Sequence, residues 1–132
     1  MSPQIEQGEA VLINKASYTF AKPQRYDVIA FKNTDGRVCI RRVIGLPGES
    51  VSITDGTVYI NGEALDRFYE ASSGGLAADE IKLMANEYFV LGDNRVGSED
   101  SRASTIGNVV EDTIMGKIWI RVLPVKRIGL IK

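Results

Sequence analysis

Asp27-Val-Ile-Ala-Phe-Lys32, then Asn33-Thr-Asp-Gly36, then Arg37-Val-Cys-Ile-Arg-Arg-Val-Ile44 is the stretch whose reading decides the fold. An apolar run, a turn centred on Asp35-Gly36 and a second run of mixed polarity make a β-hairpin, because Asp-Gly readily takes the backbone that reverses an antiparallel pair. Outward from it, the pattern repeats. Leu46-Pro47-Gly48 is a sharp turn. Ser50–Ile53 and Thr57–Ile60 flank Thr54-Asp55-Gly56 as a second hairpin, and Asn61-Gly62 turns the chain again. Upstream, Glu9–Asn14 reads as a strand and Lys22–Tyr26, with its Pro23, as a loop. Downstream, Tyr88–Leu91 is an apolar strand, Ile114–Leu123 is the clearest strand, and Ile128–Ile131 a last short one. Ile118, Ile120 and Val122 alternate there with Trp119 and Arg121. Between Glu63 and Ala85 the signal weakens: Ser72-Ser-Gly-Gly75 reads as a flexible stretch, and Leu76–Met84 as one short helix. Turns this frequent predict a mainly β domain of antiparallel sheets with a β-ribbon and little helix.

Composition bounds the chemistry. A chain of 132 residues suits one domain, 1–132. At 44% hydrophobic and 25% charged it is an ordinary globular sequence. Sixteen basic residues against seventeen acidic ones leave a net charge of −1, which argues against a nucleic-acid partner. A single cysteine, Cys39, excludes an internal disulfide and a multi-cysteine metal site. The sequence has no histidine, so His-containing triads and His-ligated zinc are excluded together. No metal or cofactor is expected. No apolar run is long enough to span a bilayer.

Two segments carry the chemistry. Arg41-Arg-Val-Ile-Gly-Leu-Pro-Gly-Glu49 ends a strand in a tight turn. Neighbouring side chains of a strand point to opposite faces, so one of Arg41 and Arg42 faces inward and needs a partner, for which Asp93 is the candidate. Gly92-Asp-Asn-Arg95, with Ser98-Glu-Asp-Ser-Arg102, packs two Arg, two Asp, one Glu, one Asn and two Ser into eleven residues after an apolar strand. As a plain surface loop its ion pairs would contribute little. A guanidinium forked onto a carboxylate, Arg102 on Asp100, would lock the loop.

Taken together these boxes, with Val58-Tyr-Ile-Asn-Gly62, Gly107 and Gly116-Lys117, resemble the bacterial type I signal peptidases, whose fold is shared with self-cleaving repressors. The resemblance covers nearly the whole chain. It implies a catalytic core at about 1–50 and 86–132 with a ribbon and variable insert at about 50–85. It also implies a membrane-anchored serine endopeptidase at the extracytoplasmic face of the bacterial plasma membrane. Such an enzyme cleaves signal peptides of exported preproteins with a Ser nucleophile and a Lys general base, and needs no cofactor. Substrate would bind as an added β-strand. A monomer touching the lipid surface through an N-terminal anchor outside this chain is the expected form.

Carried over by position, Met1, Ser2 and Pro3 fall on the first box after its nucleophile, which would precede Met1. Ser2 occupies the variable position and is not the expected nucleophile. Arg41 falls on the general-base Lys position. Arg42 matches the structural Arg that would pair with Asp93. Ser98 matches the Ser that orients the base, Asp100 and Arg102 a supporting ion pair, and Asn94, Arg95 and Ser101 the rest of that box. Met1, Ile5, Cys39 and Ile40 match positions lining apolar pockets for small side chains. Asp27 matches another box, though Tyr26 stands where the family has Gly. Arg keeps its proton at any working pH, so Arg41 cannot act as the base, and the chain is expected not to cleave. The alternative is a non-catalytic peptide-binding homologue, an accessory factor in pilus or surface-protein assembly.

Overall fold

The structure is a computed structural model that describes residues 10–15, 18–19, 21–65, 74–93, 99–123 and 129–130. The strands in chain order are β1 (Ala10–Asn14), β2 (Val28–Lys32), β3 (Val38–Gly45), β4 (Ser50–Thr54), β5 (Thr57–Ile60), β6 (Glu63–Ala64), β7 (Ile81–Lys82), β8 (Glu87–Leu91), β9 (Val109–Val110), β10 (Ile114–Leu123) and β11 (Gly129–Leu130). Two short 3-10 turns, Gly75–Ala78 and Glu111–Thr113, are the helical elements among the described residues. No described helix is long and apolar enough to cross a membrane.

The larger sheet runs β1-β10-β2-β3-β8-β9, with β11 also paired to β10, and the smaller runs β6-β5-β4-β7. Every pairing is antiparallel. The two hairpins form where the sequence places them. Asn33 Oδ1 accepts the N–H groups of Asp35 and Arg37, each at 3.0 Å, and so closes the first. Asp55 and Gly56 both take positive φ, 51° and 79°, which matches the twist of β4 and β5 in the second.

Strand β2 reads as an unbroken apolar run because it is covered on both faces. Ile29 and Phe31 join Val43, Tyr88, Val90 and Val109 on one side, while Val28 and Ala30 meet Ile118 on the other. A third cluster joins the sheets: Ile44, Phe89 and Leu91 pack against Val51, Ile53, Val58 and Ile60, with Ala77 and Leu83 at the margin. Each such side chain, fully buried, contributes about 1.5–3 kcal/mol. The register of β3 in this layer places the two arginines.

The helix expected over Leu76–Met84 is not formed. Its start is the 3-10 turn Gly75–Ala78, and the chain then becomes β7, which pairs Ile81 with Val51 and Lys82 with Ser50. Period-two burial explains the difference: Lys82 is exposed while Leu83 is buried, so a β-ladder places Leu83 in the core without a helix. The two-residue strand β9 carried no sequence signal of its own. The described part of the polar loop, 99–107, is a succession of turns, with Ala103 N–H donating to Asp100 O at 2.9 Å and Gly107 N–H to Ala103 O at 2.8 Å.

Candidate functional site

Strand β3 separates its two arginines as the pleat requires. Arg42 turns into the interior and is 2% exposed. Its Nε and Nη2 donate to Asp93 Oδ1 and Oδ2, each at 2.8 Å, and its Nη1 donates to the Tyr26 carbonyl at 2.8 Å. Asp93 is itself only 6% exposed at the side chain, so the fork is desolvated and held in one geometry. The Tyr26 carbonyl belongs to a residue in left-handed backbone, φ 75°. That backbone region suits glycine, the residue the resemblance implies here, and with a tyrosine it costs about 1–3 kcal/mol.

A second buried pair organises the loop after β8. Asp100 is fully buried and accepts four bonds: from Arg102 Nε and Nη2 at 2.8 Å each, from Arg102 N at 3.1 Å and from Gly92 N at 3.0 Å. Ser101 works as a substitute strand partner. Its N–H donates to Val90 O at 3.1 Å, and its hydroxyl oxygen accepts the Val90 N–H at 2.9 Å. Both expected ion pairs are therefore present, and the loop is tied to β8 through backbone as well as side chains. The 3-10 turn docks on the same loop: Leu76 N–H donates to Arg102 O at 2.8 Å. Gly75, at φ 57°, leaves room for that approach, since a Cβ there would stand 2.2 Å from the Arg102 oxygen.

Arg41 lies on the other face of β3 and is half-buried. Its Nε donates to the Glu99 carbonyl at 2.8 Å and its Nη1 to the Ile40 carbonyl at 2.7 Å. Both acceptors are neutral. Arg25, Arg42 and Arg102, by contrast, each hold a carboxylate. Beside Arg41 the sheet has an open edge. Strand β8 pairs with β3 only from Arg42 to Gly45, whereas β2 follows β3 from Val38 to Arg42. Val43 exchanges its N–H and C=O with Asp27 and Tyr26 on the β2 side. Alternation therefore turns the N–H and C=O of Ile40 to the opposite side. Among the described residues no strand pairs there with Val38–Arg41.

Cys39 and Ile40 border this edge from opposite faces. Cys39 packs on the cluster of Phe31, Val43 and Tyr88, and Ile40 on that of Val28, Ala30 and Ile118. An extended peptide added at the edge would send alternate side chains toward one and then the other. Lys15 and Lys32 are exposed, as expected of surface lysines. Met1, Ser2, Pro3, Ile5, Asn94, Arg95 and Ser98 lie outside the described residues.

Two groups near the site escaped the sequence reading. Arg25 forks onto Glu49, with Nη1–Oε1 at 2.8 Å and Nη2–Oε2 at 2.7 Å, and also donates to Ile44 O at 2.7 Å. Glu49 Oε1 accepts the Leu46 N–H at 2.6 Å, so it closes the Leu46-Pro47-Gly48 turn. Burial opposes ionisation of Glu49, but the Arg25 and Leu46 hydrogen bonds outweigh it and hold its carboxyl below the usual range. The second is the set of partners around Asp27, which the sequence reading named without them: its Oδ2 accepts the Tyr18 hydroxyl at 2.9 Å and its Oδ1 lies 3.3 Å from Lys117 Nζ. Burial and the Asp27 carboxylate push the Tyr18 phenol far up. Only the acidic end of the turn box and the Asp of the strand start hinted at these partners; both cations are distant in sequence. Clefts of about 240, 120 and 290 Å³ open elsewhere and are lined by none of the predicted site residues. Among the described ones, Cys39, Ile40 and Arg41 border a strand edge instead.

The chain matches the family described as signal peptidase, peptidase S26, over residues 1–123. It is 35% identical to the probable signal peptidase I-2 of Synechocystis sp., over 99% of this chain and 62% of that protein. It is 38% identical to a signal peptidase I of Leptolyngbya laminosa, over 98% and 67%, and 36% identical to signal peptidase I V of Bacillus subtilis, over 89% and 77%. Among solved structures, a signal peptidase I from Enterococcus faecalis matches with a TM-score of 0.59 at 36% identity, covering 73% of this chain and 96% of that one. The chain thus spans about 62% of the length of the first of these relatives.

Proposed function

The chain belongs to the signal peptidase family, peptidase S26, and on that premise we propose that it is a signal-peptide-binding domain that has lost the family's Ser/Lys chemistry. Its ligand is the extended signal-peptide segment of an exported preprotein, taken up as a strand on the open edge of β3 at Val38–Arg41. It acts as a monomer at the extracytoplasmic face of the bacterial plasma membrane, with lipid nearby and without nucleic acid. Arg42, Asp93, Asp100, Ser101 and Arg102 are the support residues of this reading. They hold β3, β8 and the following loop in fixed relation.

One observation carries the loss of cleavage: Arg41, at the family's general-base position, donates through Nε and Nη1 to the Glu99 and Ile40 carbonyls. A base must accept the nucleophile's proton. A guanidinium has no free lone pair and stays charged, so it donates only. A neutral lysine, its pKa lowered by burial, could accept.

The test uses the full-length protein and a fluorescent signal-peptide substrate. Binding without turnover is expected. Turnover by the unaltered protein would overturn the reading. Where a serine precedes Met1, Arg41→Lys is expected to bring cleavage back. The second reading, an accessory factor for pilus or surface-protein assembly, also rests on Arg41. It gains if Arg41→Lys restores nothing in a protein that has that serine.

A further inference from the structure

The arginines at and around the site differ in what they hold. Arg25, Arg42 and Arg102 each place two donors on a carboxylate. Arg41 is bound by two carbonyls, and among the described residues no carboxylate pairs with it. A half-buried guanidinium with only neutral acceptors keeps a full positive charge and unused N–H groups.

Its position gives that charge a meaning. The Ile40 carbonyl points away from β2, toward the open edge of β3, and Arg41 Nη1 covers it. A strand lying on this edge would need that carbonyl as an acceptor for one of its own N–H groups. At Arg41 the edge therefore changes character. Val38 turns both its N–H and its C=O to this edge, as in an ordinary strand, whereas Ile40 offers its N–H beside a fixed cation, its carbonyl being covered by Arg41. A continuous peptide strand is poorly matched there, whereas one that ends, or carries an anion, at this point is well matched.

We propose that Arg41 makes this edge a receptor for a carboxylate carried by an extended peptide. The inference rests on the peptide-binding reading above and adds the charge requirement to it. The carboxylate can come from two sources, a peptide's free C-terminus or an aspartate side chain. Planar guanidinium and planar carboxylate fit as a fork, and the Glu99 and Ile40 carbonyls fix the orientation of Arg41 beforehand, which lowers the entropy lost on binding.

Fluorescence anisotropy on the full-length protein tests this with three alanine-rich decapeptides. One has a free C-terminal carboxylate, the second is its amide, and the third is an amide with an aspartate at the last position. Charge-assisted bonds of this kind are expected to favour the acid over the amide about ten- to hundredfold at low salt. The preference should shrink in 0.5 M salt, and Arg41→Gln should bring the acid-to-amide ratio to about one. The aspartate peptide assigns the source: if it binds like the free acid, any carboxylate suffices, and if it binds like the amide, the C-terminus is required. Equal binding of all three by the unaltered protein overturns the proposal while leaving the peptide-binding reading intact. Failure of every peptide to bind overturns that reading as well. An acid preference that survives in Arg41→Gln overturns the role of Arg41 alone.

Discussion

Asp93→Ala is the most informative single change in the support structure. It leaves the Arg42 guanidinium in the interior, 2% exposed, with both of its bonds to the Asp93 carboxylate gone. Stranding one charge of a buried pair costs about 3–5 kcal/mol. At about 0.05–0.15 kcal/mol per residue, a 132-residue domain has a total stability of about 7–20 kcal/mol, so a large part is at stake. Unfolding entropy of about 2.1 cal/mol/K per residue comes to roughly 280 cal/mol/K for this chain, which converts the loss into a Tm drop of about 11–18 °C. Calorimetry measures it directly, and urea unfolding followed through the single tryptophan provides the second reading. The double variant Arg42→Met/Asp93→Leu removes both charges and fills the space, so it should be more stable than Asp93→Ala. Lys22→Ala removes an exposed ion pair with Glu111 and serves as the control, with no measurable change expected. A Tm loss under about 3 °C for Asp93→Ala, or a double variant less stable than the single one, would refute the reasoning.

Further outcomes follow from the same geometry. Glu49 has its folded-state carboxyl held below the usual value, so its contribution is complete above the ordinary glutamate pKa of about 4.3 and is lost as pH falls through the folded value. The stability difference between the unaltered protein and Glu49→Gln should therefore be large at pH 7 and vanish on acidification, as urea midpoints across pH would reveal. Tyr18 is shifted the other way: its neutral form is favoured, so stability declines as pH rises past about 10, and Tyr18→Phe should flatten that alkaline limb. Gly36→Ala, at φ 80° with open space around it, meets backbone strain alone and should cost about 1–3 kcal/mol in chemical denaturation, whereas Gly75→Ala adds a Cβ clash with the Arg102 carbonyl to that strain and should cost more. Ser101→Ala leaves the buried Val90 N–H without its hydroxyl acceptor. A loss of about 1–3 kcal/mol is expected, with faster amide exchange at Val90.

Much of the architecture was legible because its causes are local. The Asp-Gly pairs at 35–36 and 55–56 set both hairpins, and the apolar run Val28–Phe31 marked a strand, which the structure buries on both faces. Adjacent arginines at 41 and 42 foretold one inward charge by the pleat alone, and Asp93 proved to be its partner. The misread segment, Leu76–Met84, is short, and its one buried leucine, Leu83, satisfies either period; pairing with β4 decided it. Contacts between residues far apart in sequence were invisible for a similar reason. Nothing in Arg25 marks it as the partner of Glu49, and the acceptors of Arg41 are backbone carbonyls, which every residue has. Tyr26 showed only as a departure from a glycine pattern, and its positive φ supplies the physical reason.

The chain leaves the small sheet at Leu65, whose N–H is held by Val58 O at 2.9 Å, and is held again at Leu76, on the carbonyl of Arg102. Both anchorages are backbone bonds made to the domain itself. A length of chain clamped at both ends by its own domain can vary in evolution and in engineering, since each doubling of a closed loop costs only about 0.6 kcal/mol in closure entropy. A tag, a reporter or a whole inserted module placed between these two clamps would enter between points that the domain fixes by its own backbone bonds.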